Sequence, residues 1–169
     1  MPQPFVAVLM GSDSDLPTMQ NTLDTLTSLG VPWEVKITSA HRTPAQTMDY
    51  VQAAEARGCR VFIAAAGLAA HLAGVVAAHT LRPVIGVPME GGPLNGFDAL
   101  LSTVQMPGGI PVASVAIGKA GARNAAYLAA QVLAVADDVL FRRLQQERNA
   151  AAQQVIAKDD ALQAKLQGS

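Results

Sequence analysis

Residues 60–65, Arg60-Val61-Phe62-Ile63-Ala64-Ala65, are apolar at every position after the first. A strand covered on one face alternates apolar with polar side chains; a strand covered on both faces does not. This segment therefore reads as a buried parallel strand. Phe5-Val6-Ala7-Val8-Leu9-Met10 has the same character. These two belong at the centre of a sheet. Trp33 to Thr38 alternates and belongs nearer an edge, while Pro83 to Val87 and Val112 to Ile117 supply two more strands.

Helical patterns fill the gaps between these strands. Leu23, Leu26 and Leu29 share one face of a helix over 16–29, and Gly30 stands just past its end. Pro44 opens a helix that runs to Arg57 and stops at Gly58. A small-residue helix is expected over 69–80, a short one over 97–104, and a long Ala-rich one from Lys119. Strand–helix units in series predict an α/β fold. We expect a flavodoxin-like three-layer sandwich with a central parallel five-stranded sheet in the order 2-1-3-4-5. One domain is expected over 1–169, with a core over 5–133 and a C-terminal helical arm over about 134–167.

Composition narrows the function classes. Of 169 residues, 50% are hydrophobic and 15% charged, which excludes disorder for most of the chain and suggests burial against other subunits. The net charge of −1 argues against nucleic acid as a partner. The single cysteine, Cys59, permits neither an intrachain disulfide nor a Cys-based zinc site, and reads as a small buried residue opening a strand. The N-terminal apolar run is too short for a signal peptide, and no run reaches the length of a membrane span, so a cytoplasmic protein without membrane contact is expected.

The C-terminal segment carries a pattern of its own. Leu140/Leu144, Ala151/Val155 and Leu162/Leu166 are i,i+4 pairs that recur every eleven residues, a single stripe on a nearly straight helix. Such a helix would be about 45 to 70 Å long, against about 30 Å for the domain, so part of it must leave the body. A second copy of the chain is the economical partner. The alternative is a break near Asn149.

Ligands of open parallel sheets bind at the carboxyl ends of the strands. The loops there are Gly11-Ser12-Asp13-Ser14-Asp15, Ser39-Ala40-His41-Arg42-Thr43-Pro44, Ala66-Gly67-Leu68-Ala69-Ala70-His71-Leu72 and Pro88 to Gly96. They contain no Gly-x-Gly-x-x-Gly, no Walker A lysine and no receiver aspartate, and only Phe97 could stack on a flavin. His41, His71 and His79 lack metal-ligand spacing, so no metal is expected. Ser12 and Ser39 precede helix starts, and Arg42 adds a planar cation, a set suited to one phosphate monoester. Asp13 and Asp15 would repel a polyphosphate but suit the hydroxyls of a ribose. Plain capping by Ser12, Ser14 and Asp15 is the alternative. His41, in a loop beside Arg42, is the best candidate for a general acid/base, against the alternative of an ordinary surface residue. His71 reads as a core or helix-start residue by default, and His79 as structural.

Together these loops resemble one family. Gly11 to Asp15, Ser39 to Pro44 and Ala69-Ala70-His71-Leu72 are similar to the signature loops of the class I N5-carboxyaminoimidazole ribonucleotide mutases of bacterial purine synthesis. Pro83 to Pro88, Val104 to Val112 and Ala116 to Gly121 continue the likeness in order. The resemblance implies an octamer whose C-terminal helices reach onto neighbours. It implies movement of a carboxylate from an exocyclic nitrogen to a ring carbon of a phosphoribosyl aminoimidazole, without metal, biotin or ATP. It makes His41 the acid/base and puts Ser12, Asp15, Ser39 and Arg42 on ribose and phosphate. His71, with Gly67, Ala70 and Leu72, falls in the loop closing over base and carboxylate. Two positions depart from the family: Leu68 where glycine is common, and Ala73 where proline is common. The animal-type class II carboxylases lack the Ala-Ala-His-Leu run, so the resemblance favours the mutase.

Overall fold

A computed structural model describes residues 3–167. Residues 1–2 and 168–169, included in the single-domain expectation, lie outside the described residues. Five parallel strands form one sheet in the order β2-β1-β3-β4-β5. They are β1 (Phe5–Met10), β2 (Trp33–Ile37), β3 (Cys59–Ala66), β4 (Val84–Pro88) and β5 (Ala113–Ser114). The helices are α1 (Leu16–Ser28), α2 (Pro44–Ala56), α3 (Leu72–Ala78), α4 (Phe97–Val104), α5 (Gly118–Ala134) and α6 (Asp138–Gln167). The expected sheet order is the observed one.

β1 and β3 are neighbours, with Val6 opposite Val61 and Val8 opposite Ile63. Their alternate side chains feed two cores. Val6, Val8, Met10, Val61 and Ile63 face α1 and α5; Phe5, Ala7, Leu9, Phe62 and Ala64 face α2 and α3. The apolar continuity of these strands is thus the burial of both faces, at about 1.5–3 kcal/mol for each large side chain. The small residues Ala122, Ala125, Ala126 and Ala129 let α5 close on α1, where the Thr22 hydroxyl donates to the Ala122 carbonyl at 2.7 Å.

Three expectations need correction. β5 spans two residues instead of 112–117: as an edge strand it pairs only with β4, where Ala113 and Ser114 alone find partners, at Ile85 and Gly86. α3 starts at Leu72, not Ala69, because Leu68 has φ 53 and the Ala70 N–H turns back to the Leu68 carbonyl at 2.8 Å. The long C-terminal helix divides at 135–137, where Asp137 Oδ1 accepts from the Val139 and Leu140 N–H groups and starts α6 afresh. α6 then passes through Asn149 unbroken.

The root of α6 belongs to the body. Leu140 is buried on the α5 side, and Arg143 Nη1 donates to the Leu29 carbonyl at the end of α1 at 3.0 Å. Beyond Arg148 every described residue is exposed, including Val155, Leu162 and Leu166. The thirty residues of α6 measure about 45 Å.

Candidate active site

Backbone hydrogen bonds draw the loops that follow β1 to β4 into one edge. Thr38 N–H donates to the Met10 carbonyl, Gly11 N–H to Ala65 and Met89 N–H to Ala66, at 2.9 to 3.0 Å. Each bond joins the exit of one strand to the exit of its neighbour.

The first loop is a single 3-10 turn, Asp13–Asp15, capped by Ser12. Ser14 N–H donates to Ser12 Oγ at 3.2 Å, and Ser12 N–H donates to Asp15 Oδ2 at 3.2 Å. Capping is therefore realised, and it aims the Ser12 hydroxyl and the Asp15 carboxylate along the same turn. Burial pushes the Asp15 carboxyl above its usual 3.8, against the pull of the Ser12 and Gly11 N–H groups, with a small further push from Asp13.

The second loop is built on hydroxyls. Ser39 N–H donates to Thr43 Oγ1 at 2.9 Å, and Thr43 N–H donates to the Ser39 carbonyl at 2.8 Å. Beneath it the buried hydroxyls of Thr38 and Thr47 meet at 2.7 Å. Ser39 lies inside this turn, and Thr43, not Ser39, stands at the start of α2. Ser39 Oγ instead accepts the Arg42 N–H at 3.2 Å. The turn leaves His41 and Arg42 exposed, and the Arg42 guanidinium has no ion-pair partner among the described residues.

The third loop brings His71 to His41. The ring centroids are 5.2 Å apart with the planes tilted by 47°. His71 directly precedes α3 without capping it. Gly67 runs against Met89, where an added Cβ would stand 3.5 Å from Met89 Cβ. Ala70 and Leu72 are buried, each 2% exposed, with Leu72 in the core beneath the loop. His79 is apart from the cluster; its Nδ1 lies 2.8 Å from the Val75 carbonyl.

The edge thus carries Ser12, Asp15, Ser39, His41, Arg42, Gly67 and His71, with Ala70 and Leu72 as supports. The Thr38–Thr43–Thr47 hydroxyl network escaped the sequence reading, although Thr43 and Thr47 show the i,i+4 spacing of helical neighbours. Among the described residues no three His, Cys, Asp or Glu side chains group as metal ligands would. Among the described residues no helix is long and apolar enough to cross a membrane. A groove of about 980 Å³ lies elsewhere, between α5 and α6, lined by Arg123, Tyr127, Leu144 and Glu147. The loop edge is distinguished by its converging polar groups, not by depth.

The chain is similar to known proteins over nearly its whole length. Residues 5–154 match the AIR carboxylase family. The N5-carboxyaminoimidazole ribonucleotide mutase of Bacillus subtilis is 52% identical over 95% of this chain and 99% of its own length. The mutase of the same name from Synechocystis is 52% identical over 96% and 91%. The crystal structure of Treponema denticola PurE superposes with a TM-score of 0.86 at 29% identity, covering 95% of this chain and 99% of that one.

Proposed function

The chain belongs to the AIR carboxylase family, and from that premise we propose a mutase of purine biosynthesis in which His41 is the general acid/base. It converts N5-carboxyaminoimidazole ribonucleotide to the 4-carboxy-5-aminoimidazole isomer. The observation that carries the reading is the meeting of His41 and His71, from two loops, within 5.2 Å on an edge that also holds Ser12, Asp15, Ser39 and Arg42.

The reaction moves carbon dioxide from nitrogen to carbon and a proton from carbon to nitrogen. The N–C bond to the carboxylate breaks, a bond from the ring carbon to the same carbon forms, and no net proton is released. A single base that takes the ring-carbon proton, and is recharged for returning one to nitrogen, is sufficient. An uncharged His41 is suited to taking it, and removal of that proton restores the aromatic ring. The carbamate loses carbon dioxide readily, so the pocket must keep the freed molecule close and water away. The small residues Gly67 and Ala70 allow backbone to approach the planar base. Arg42 and the hydroxyls of Ser12 and Ser39 suit the phosphate, and Asp15 suits the ribose hydroxyls.

Assembly belongs to the same proposal. The exposed stripe of Val155, Leu162 and Leu166 on a helix about 45 Å long suits contact with other copies, and an octamer is the expected form. We place the enzyme in the cytoplasm, with no metal or organic cofactor.

His41→Asn is the test. Turnover of the N-carboxylated ribonucleotide should fall by about 10²- to 10⁴-fold, while calorimetry shows the product nucleotide still binding. Turnover within tenfold of wild type would remove His41 from the role. If wild type instead acts on the unsubstituted ribonucleotide and needs dissolved carbon dioxide, the enzyme is a class II carboxylase.

A further inference from the structure

We propose that Leu68 is a positioning residue for this reaction, its side chain bracing the His71 loop against the β4–α4 loop at Gly92. The proposal rests on the mutase reading above. Leu68 has φ 53, a left-handed conformation in which a leucine is disfavoured and a glycine is not. Such a conformation persists only where the surroundings hold it. One hold is local: the Ala70 N–H donates to the Leu68 carbonyl at 2.8 Å. The other is the side chain. Leu68 Cδ2 stands 2.5 Å from the place a Cβ on Gly92 would occupy, and Cγ stands 3.9 Å from it. The isobutyl group is seated over a bare α-carbon.

Gly92 is itself held. It has φ 65 and sits in a turn closed by Asn95 N–H on the Gly92 carbonyl at 3.3 Å and Gly96 N–H on the Gly91 carbonyl at 3.1 Å. The knob therefore meets a fixed seat. Core packing does not account for the leucine, since its residue is 55% exposed. What the contact does fix is the path of the chain into His71, three residues on, whose ring faces His41. A small displacement of a positioned group costs rate far more than it costs folding.

Three variants separate positioning from stability: Leu68→Gly, Leu68→Met and Gly92→Ala. Leu68→Gly removes both the brace and the strained φ. Its kcat should fall about tenfold, amides 69–71 should exchange hydrogen faster, and its melting temperature should hold or rise. Leu68→Met should restore kcat to within about threefold of wild type, because a flexible side chain can refill the seat. Gly92→Ala strains its own φ of 65 in either background, so its melting temperature should fall with or without the leucine, but its loss of kcat should be large only where Leu68 Cδ2 is there to be displaced. Leu68→Gly turnover within twofold of wild type, with unchanged exchange, overturns the proposal. So does a loss of kcat matched by a lower melting temperature and not rescued by methionine. Hydrogen exchange reads the brace without turnover, so a wild-type chain inactive as a mutase would refute the function while leaving this contact testable.

Discussion

The loop that carries His41 is fastened from within, and the loop that carries His71 is fastened from outside. In the first, three threonine hydroxyls and two turn hydrogen bonds close on themselves under Ser39 and Arg42. In the second, one short backbone bond and a half-exposed leucine do the holding, the leucine in a conformation it resists. Fully satisfied buried polar groups specify one geometry at the cost of tolerance to substitution. A knob seated on a neighbouring loop holds the segment through one side-chain contact, so a single substitution can release it. One loop is thus held by many shared bonds under the groups suited to a sugar-phosphate, and the other by a single brace beside His71.

Arg42→Ala tests the fixed loop most severely. Loss of a charge-assisted hydrogen bond to phosphate costs about 1.5–3 kcal/mol, roughly a 10- to 150-fold weaker Kd for the product nucleotide by calorimetry. An unchanged affinity would take Arg42 off the phosphate. Thr47→Val comes next. It leaves the Thr38 hydroxyl buried without its 2.7 Å partner, and chemical denaturation should show about 1–3 kcal/mol of lost stability. The contrast with Leu68→Gly, which should lose rate but not stability, is the difference between the two loops in measurable form. If both variants melt alike, the distinction fails.

The smallest effect concerns Asp15. Burial raises its carboxyl above 3.8, so the folded chain binds that proton more tightly than the unfolded chain. Its contribution to stability therefore falls as pH climbs from about 3.8 through the raised value, and the deficit stays in full at neutrality. Asp15→Asn should melt slightly above wild type at pH 7, with the gap closing in acid, even though substrate binding suffers. A gap that widens in acid would mean that folding lowers the Asp15 carboxyl instead of raising it.

The sheet was legible because burial of both faces writes an uninterrupted apolar run, and β1 and β3 carry the longest ones. β5 was not: Val112 to Ile117 has the composition of a strand, but at the sheet edge it has one neighbour and only Ala113 and Ser114 pair with it. The start of α3 depended on the left-handed φ of Leu68, which nothing in a leucine announces, and the end of α5 on Asp137, a local cap hidden within an otherwise continuous helical pattern. At the site, residue types and loop order pointed to Ser12, Asp15, Ser39, His41 and Arg42. The proximity of His71 to His41 was beyond residue spacing, since thirty positions separate them and only the fold brings them close. The threonine network was hidden for the opposite reason: threonine is common, and a buried hydroxyl pair has no signature until the packing is known.

Arg143 decides how much of α6 the body can spare. Its guanidinium occupies the dimple over Gly30, where any side chain would collide with it, and answers a carbonyl at the last turn of α1. A chain shortened to end after Arg148 keeps that clasp and should refold as a complete unit. One ending before Leu140 would leave the dimple vacant and the carbonyl wet, and α1 would fray at the end opposite its serine turn.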